Sequence, residues 1–273
     1  MDTWAQIGQI KPRELSQARL EIHHALQLVS IAVGRSLLTH QDDDSHTALS
    51  WLDVPAQWVG GEIPETELRA GIRPADLTLT LGGKDDPSGL QLDLVGQTRK
   101  QALDWLRDQL AEHGVDRSKV ELDFHYEMPT HAIEDGAAWS DGLAEERAEL
   151  TRYFAAASAL LIDVTRDAES SPIRTWPHHF DMATLLDEGD GKTIGVGLAA
   201  GDTAYNEPYF YISPYPRPES DVELPTLPAG HWHTEGFFSA VLTGTELLEA
   251  DDPAQCVHDT VTTAIVAGRD LLT

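Results

Sequence analysis

From Asp76 to Leu81 the chain alternates strictly, so Leu77, Leu79 and Leu81 fall on one side of an extended backbone. Leu90, Leu92 and Leu94 do the same just downstream, and the eight residues between, Gly-Gly-Lys-Asp-Asp-Pro-Ser-Gly, are turn formers. The two runs predict a β-hairpin with one buried face. Elsewhere the period is helical. Leu15, Ala18, Ile22, Leu26, Val29 and Val33 predict a helix that opens at Pro12 and ends near Leu38, followed by a polar loop from Gln41 to Ser45. Thr98 and Gln101 form a capping-box pattern ahead of Ala102, Leu103, Leu106 and Leu110, and Gly114 stops that helix. A third helix is predicted from Leu143 to Val164, and a last one after Asp252, a cap, with Pro253 in its first position. Further strands are predicted at Thr47–Trp51, Gln57–Val59, Ile173–Trp176, Phe180–Leu185, Thr193–Ala199 and Tyr209–Ser213, with a proline-rich loop from Pro214 to Pro228. Residues 121–142 show no clear period.

Taken together these elements predict an α+β fold with antiparallel or mixed sheets covered by helices, not alternating βαβ units. Two halves, 1–142 and 143–273, read alike as a long helix, about four strands and a helix, packed as one compact unit. Asp44-Ser-His-Thr-Ala-Leu-Ser-Trp in the first half sits where Ser170-Ser-Pro-Ile-Arg-Thr-Trp sits in the second, although the identity is too thin to establish a duplication.

Charge narrows the choice of partners. Asp and Glu number 46 against 19 Lys and Arg, a net charge of −27, and only five residues are lysine. The acids are dispersed, which argues against a disordered acidic tail. Such a surface repels phosphate backbones and anionic lipid, so neither nucleic acid nor membrane is expected as a partner. It is also the pattern of adaptation to a salty interior, since salt screens the self-repulsion. No run of eighteen apolar residues exists, the first residues lack the pattern of a signal peptide, and Cys256 is the only cysteine, so a cytoplasmic location is expected.

Trp176-Pro-His-His-Phe-Asp-Met-Ala, Gly195-Val-Gly-Leu, Glu207-Pro-Tyr-Phe-Tyr-Ile and Gly230-His-Trp-His-Thr carry most of the chain's unusual chemistry. Together these segments resemble an uncharacterised bacterial protein family. The order of elements over most of the chain is also similar to a broader family of unknown function. The resemblance implies no activity. Gly195-Val-Gly-Leu-Ala-Ala matches a dinucleotide fingerprint only in letters, because a loop follows where a helix is required. Cys256 and His258 are two apart on a predicted helix and do not face each other, so Cys256 reads as a small core residue.

The histidines carry the sharper expectation. If Thr234 caps a helix running into Phe237 and Val241, His231 and His233 lie two apart on an extended segment and share a face, as two corners of a metal site would. The same alternation sets His179 with Asp181 and puts His178 among the aromatics Trp176 and Phe180. His179, Asp181, His231 and His233 are therefore the candidate ligands of a divalent metal such as zinc, and Asp181 and His233 are expected to be close in space. Glu235 and Glu207 are the candidate general bases that activate water, with Asp202 nearby. Tyr209, Tyr211 and His178 are the candidate ligand-binding residues. These residues predict a small-molecule pocket with metal-assisted hydrolase chemistry. The competing reading is a non-catalytic binding or assembly protein in which the same histidines and acids stabilise the sheet.

Overall fold

A computed structural model describes residues 4–84, 86–219 and 222–273. Met1–Thr3, Asp85 of the hairpin loop, and Ser220 and Asp221 of the proline-rich stretch lie outside the described residues. The fold is α+β with two antiparallel sheets, and the chain divides into two compact units. One comprises Gln17–Thr151 and Thr175–Phe180; the other comprises Met1–Ser16, Arg152–Arg174 and Asp181–Thr273. Among the described residues no helix is long and apolar enough to cross a membrane.

The first unit holds a five-stranded sheet in simple sequence order: β1 (Ser50–Leu52), β2 (Gln57–Val59), β3 (Leu68–Arg73), β4 (Thr78–Gly83) and β5 (Leu90–Asp93). The predicted hairpin is its β4–β5 pair, with Leu79 opposite Leu92 and Leu81 opposite Leu90. Leu77, Leu79 and Leu81 are fully buried, whereas Leu90 on the edge strand is exposed. Thr78 and Thr80 on the other face of β4 are buried as well, so this strand is covered on both sides. Strand β3 escapes the alternation rule because Leu68-Arg-Ala-Gly-Ile-Arg has glycine in its middle. Gly71 is required there, since an added Cβ would stand 2.7 Å from both Thr80 Oγ1 and the Trp58 carbonyl.

Helix α1 (Ser16–Val29) continues into a π-helical turn at Ser30–Arg35. That turn lets Gly34 approach the following loop, where a Cβ would meet the His46 carbonyl at 2.8 Å. Helix α2 (Arg99–Glu112) carries the predicted capping box in full, with Thr98 and Gln101 bonding each other's backbone. Inside this unit Arg147 and Glu21, both almost fully buried, form an ion pair at 3.2 Å. Glu21 also accepts the Ser140 N–H at 3.0 Å, and its carbonyl accepts the Trp139 indole.

Helix α3 (Ala144–Thr165) and strand β6 (Arg174–Trp176) carry the chain between the units. The second sheet has the order β10-β11-β9-β8-β7-β6, where β7 is Asp181–Asp187, β8 Thr193–Ala199, β9 Tyr209–Tyr215, β10 His231–His233 and β11 Ser239–Thr243. Thr234 therefore caps no helix. The apolar run Phe237–Val241 turns back as β11, because pairing with β9 satisfies its backbone across Ala240–Thr243. A short helix, α4 (Gly244–Leu248), then starts from a capping box between Thr243 and Glu246. Helix α5 (Pro253–Leu271) begins at the predicted Asp252 cap and lies over β8 and β9 through Gly268, whose bare α-carbon faces Ile194 and Pro214.

Candidate functional site

Paired residues on neighbouring strands share a face. In the second sheet Asp181 pairs with Ala199, Ala199 with Tyr209, Tyr211 with Val241 and Val241 with His231, so Asp181, Tyr209, Tyr211, His231 and His233 all project from one face. The opposite face, with Ile194 and Pro214, is the one covered by α5. On the tyrosine face the phenol of Tyr211 lies over Gly197, where a Cβ would stand 2.7 Å from its hydroxyl, and the hydroxyl donates a short hydrogen bond to Asp181 Oδ2. Tyr209 donates to Asp202 Oδ2 at 2.7 Å. Burial, with the neighbouring Asp202 and Asp181, holds both phenols well above the usual tyrosine range, so each acts as a neutral donor.

Further along the same face stands Tyr205. Its loop is fixed by Asp202, whose Oδ1 accepts the N–H groups of Ala204 at 2.8 Å and Tyr205 at 2.9 Å. The phenol oxygen lies 2.8 Å from His231 Nε2 and 2.8 Å from His233 Nδ1. His231 turns its other nitrogen to Glu246 Oε1 at 3.2 Å, and His233 turns its own to the Glu235 carbonyl while its ring stacks on Phe237.

Of the predicted residues, then, His231 and His233 do share a face and meet at one oxygen. Asp181 does not join them. It sits on β7 and His233 on β10, with β8, β9 and β11 between, which at about 4.8 Å per strand is roughly 19 Å. Glu207 is committed to structure: Oε1 accepts Arg13 Nε at 3.0 Å, and Oε2 accepts the Thr245 N–H at 2.7 Å at the start of α4. Glu235 contributes its carbonyl, not its carboxylate, to His233.

The Trp-Pro-His-His-Phe segment departs from the alternation expected of it. Pro177 to Phe180 is a turn closed by Phe180 N–H to the Trp176 carbonyl at 2.9 Å, with Phe180 at φ 54°. Helix α1 holds this turn: His23 Nε2 donates to the Pro177 carbonyl at 2.6 Å and Gln27 donates to it at 3.1 Å. Tyr126 in turn donates to Gln27 Oε1 at 2.5 Å. Burial lowers His23 to about 4, so its ring is neutral. The ring of His178 stands 4.3 Å from that of His179 and 6.0 Å from that of Tyr126; burial, then His179, lowers it to about 4 as well. His179 is thus beside His178 in the first unit, while Asp181 opens β7 of the second.

A second cluster gathers around Asp44 of the predicted polar loop Gln41–Ser45. His40, Asp44 and His46 each offer one ligand atom, and these atoms all lie within 4.8 Å of one another. Asp44 takes φ 57°, and its carbonyl accepts the Thr47 N–H and hydroxyl, both at 2.9 Å, which turns the loop so that its carboxylate faces His125 Nε2 at 3.0 Å. His46 is buried, and burial, then His40, lowers its pKa, so the ring is neutral near pH 7. Its Nδ1 accepts the Gln41 N–H at a long 3.2 Å. His40 and His46 border a cleft of about 310 Å³ lined also by Arg35, Ser36, Lys119, Glu121 and Asp123. The available signal was spacing, two histidines flanking Asp42-Asp43-Asp44. Nothing local marks Tyr205, which is brought in by the Asp202 turn.

Among the described residues the fold is thus α+β with two antiparallel sheets, and histidines gather with oxygen donors at His40–His46 and around Tyr205. No family model, curated protein or solved structure matches the chain.

Proposed function

We propose that this protein binds a divalent metal ion at His40, Asp44 and His46 and uses it on a small anionic molecule held in the adjoining cleft. The observation that carries this reading is the convergence of two imidazoles and a carboxylate within 4.8 Å. A two-nitrogen, one-oxygen set suits zinc and its neighbours and leaves a coordination position for water. The neutral His46 is ready to ligate, and His125 steadies Asp44 from behind as an outer partner. Ligation through His46 Nδ1 displaces only the long Gln41 contact. Lys119 and Arg35, the latter 3.7 Å from Asp123, stand on the cleft wall and are the groups that would take a carboxylate or phosphate of the bound molecule. An ion there lowers the pKa of its bound water, which supports hydrolysis as the reaction. The lone Cys256 thiol fits a reducing compartment, and the cytoplasm is the proposed location.

The Gln41 contact also favours a second reading, in which the trio only staples the 40–47 loop and the protein is a non-catalytic binding or assembly module. Equilibrium dialysis against zinc separates the two. The ion should bind with an affinity that falls at least tenfold in His46→Ala and in Asp44→Asn, and chromogenic phosphate or carboxylate esters should be cleaved only by the loaded protein. Zinc affinity unchanged in both variants leaves the stapling reading standing.

A further inference from the structure

We infer that Tyr205, His231 and His233 form a second transition-metal site, independent of the one at His40–His46, in which a tyrosinate oxygen and two imidazole nitrogens hold the ion. The argument starts from proton counting. The Tyr205 oxygen sits 2.8 Å from His231 Nε2 and 2.8 Å from His233 Nδ1. The far nitrogens face acceptors only: His231 Nδ1 points at the Glu246 carboxylate and His233 Nε2 at the Glu235 backbone carbonyl. A ring that holds a single proton therefore carries it on the far nitrogen, against that acceptor, and turns a lone pair toward Tyr205. One hydroxyl has one proton and faces two acceptors, so one of the two contacts is left without a hydrogen.

An ion resolves that conflict. Donors at right angles on an ion about 2.0–2.1 Å away stand about 2.8–3.0 Å apart, which is the spacing of Tyr205 Oη from each nitrogen. The outer partners are also those of a metal centre, where a ligating histidine gives its other N–H to a carboxylate or a carbonyl. The rings are fixed in place: His233 is stacked on Phe237 at a centroid separation of 3.9 Å, and Tyr205 is anchored by the Asp202 turn. On binding, the phenol proton leaves to solvent and the oxygen becomes an anionic ligand. Two imidazoles with one phenolate favour copper(II) over zinc in the ordinary order of affinities. His231 is at the exposed edge of the sheet, so the ion can be reached from solvent.

The alternative resolution is a proton in place of the ion, with His231 as an imidazolium beside Glu246. Copper(II) titration distinguishes the two. A tyrosinate bound to copper(II) gives a visible charge-transfer band that a site built of imidazole and carboxylate does not. The expected result is one equivalent of copper per chain that gives such a band, besides any copper taken without the band at His40–His46. The band should vanish in Tyr205→Phe, fall at least tenfold in apparent affinity in His231→Ala, and persist in the His40→Ala, His46→Ala double variant. Absence of the band in the wild-type chain, or its survival in Tyr205→Phe, overturns the site. Circular dichroism of both variants confirms that the loss is local, and His231→Ala alone decides the matter if Tyr205→Phe fails to fold.

Discussion

At the scale of single residues, His23 is the clearest case of chemistry fixed by burial. It is 4% exposed, donates to the Pro177 carbonyl, and takes a proton only near pH 4. An unfolded histidine takes one near 6.5. Between those values the unfolded chain binds more protons than the folded one, so stability that is whole above pH 6.5 drains away as pH falls toward 4. For His23 alone the shift is worth about 3 kcal/mol. Urea melts between pH 7 and 4.5 should show that decline, with His178 adding to it, and the slope should shrink in His23→Gln, whose amide can still donate to Pro177. A flat profile would show that the ring is not held neutral. The sequence marked His178 and His179 as unusual but assigned them by strand alternation. That rule fails for 177–180 because proline and the turn after it break the extended backbone. The face shared by His231 and His233 was legible because that segment really is extended. Tyr205 was not, since its position depends on backbone hydrogen bonds donated to the Asp202 carboxylate rather than on any period.

Elements were more legible than residues, and for a physical reason. Capping boxes, strict alternation and helical spacing are local, and the structure honours them at Thr98, in the 78–93 hairpin and at Asp252. Strand β3 and strand β11 were missed. The first is interrupted by the glycine its neighbours demand, and the second was read as a helix because nothing local records the pairing with β9. Glycine also governs the tyrosine face. The space above Gly197 is filled by the Tyr211 ring and the Met182 carbonyl, each 2.7 Å from where a Cβ would be. Gly197→Ala should therefore push Tyr211 off Asp181 and cost about 1–3 kcal/mol. Chemical denaturation measures the loss, and tyrosine fluorescence or near-ultraviolet dichroism reports the displaced ring. A stability change within 0.5 kcal/mol, the usual scatter of a neutral surface substitution, would mean that the ring has room to move.

For the molecule as a whole the dominant quantity is charge. With −27 spread over 273 residues, the folded chain concentrates repulsion that the unfolded chain dilutes. The ion pairs that oppose it are mostly exposed, such as Arg166 with Asp163 and Lys100 with Asp104, and each contributes little. The melting temperature is expected to rise steadily from dilute buffer to molar potassium chloride, beyond the rise that an excluded osmolyte such as sucrose produces. An unchanged midpoint would remove the argument for a salt-adapted surface. Composition established this charge at once; what it could not convey is which segments pack together, because contact order is not written in local pattern.

That packing order has a bearing on synthesis. The unit built around α1 takes residues 17–151 and then, after a gap, residues 175–180. Those six late residues carry the Pro177 carbonyl to which His23 and Gln27 bond, and Thr175, whose hydroxyl accepts the Trp58 indole at 2.9 Å and whose backbone pairs with Leu49. As the chain leaves the ribosome, His23, Gln27 and Trp58 emerge long before their partners do. Three of the most buried polar groups of α1 and β2 must stay hydrated until residue 180 has been made. A nascent chain stalled near residue 151 would thus already have Arg147 and Trp139 to hold α1 at Glu21, while His23 and Trp58 would still await Pro177 and Thr175.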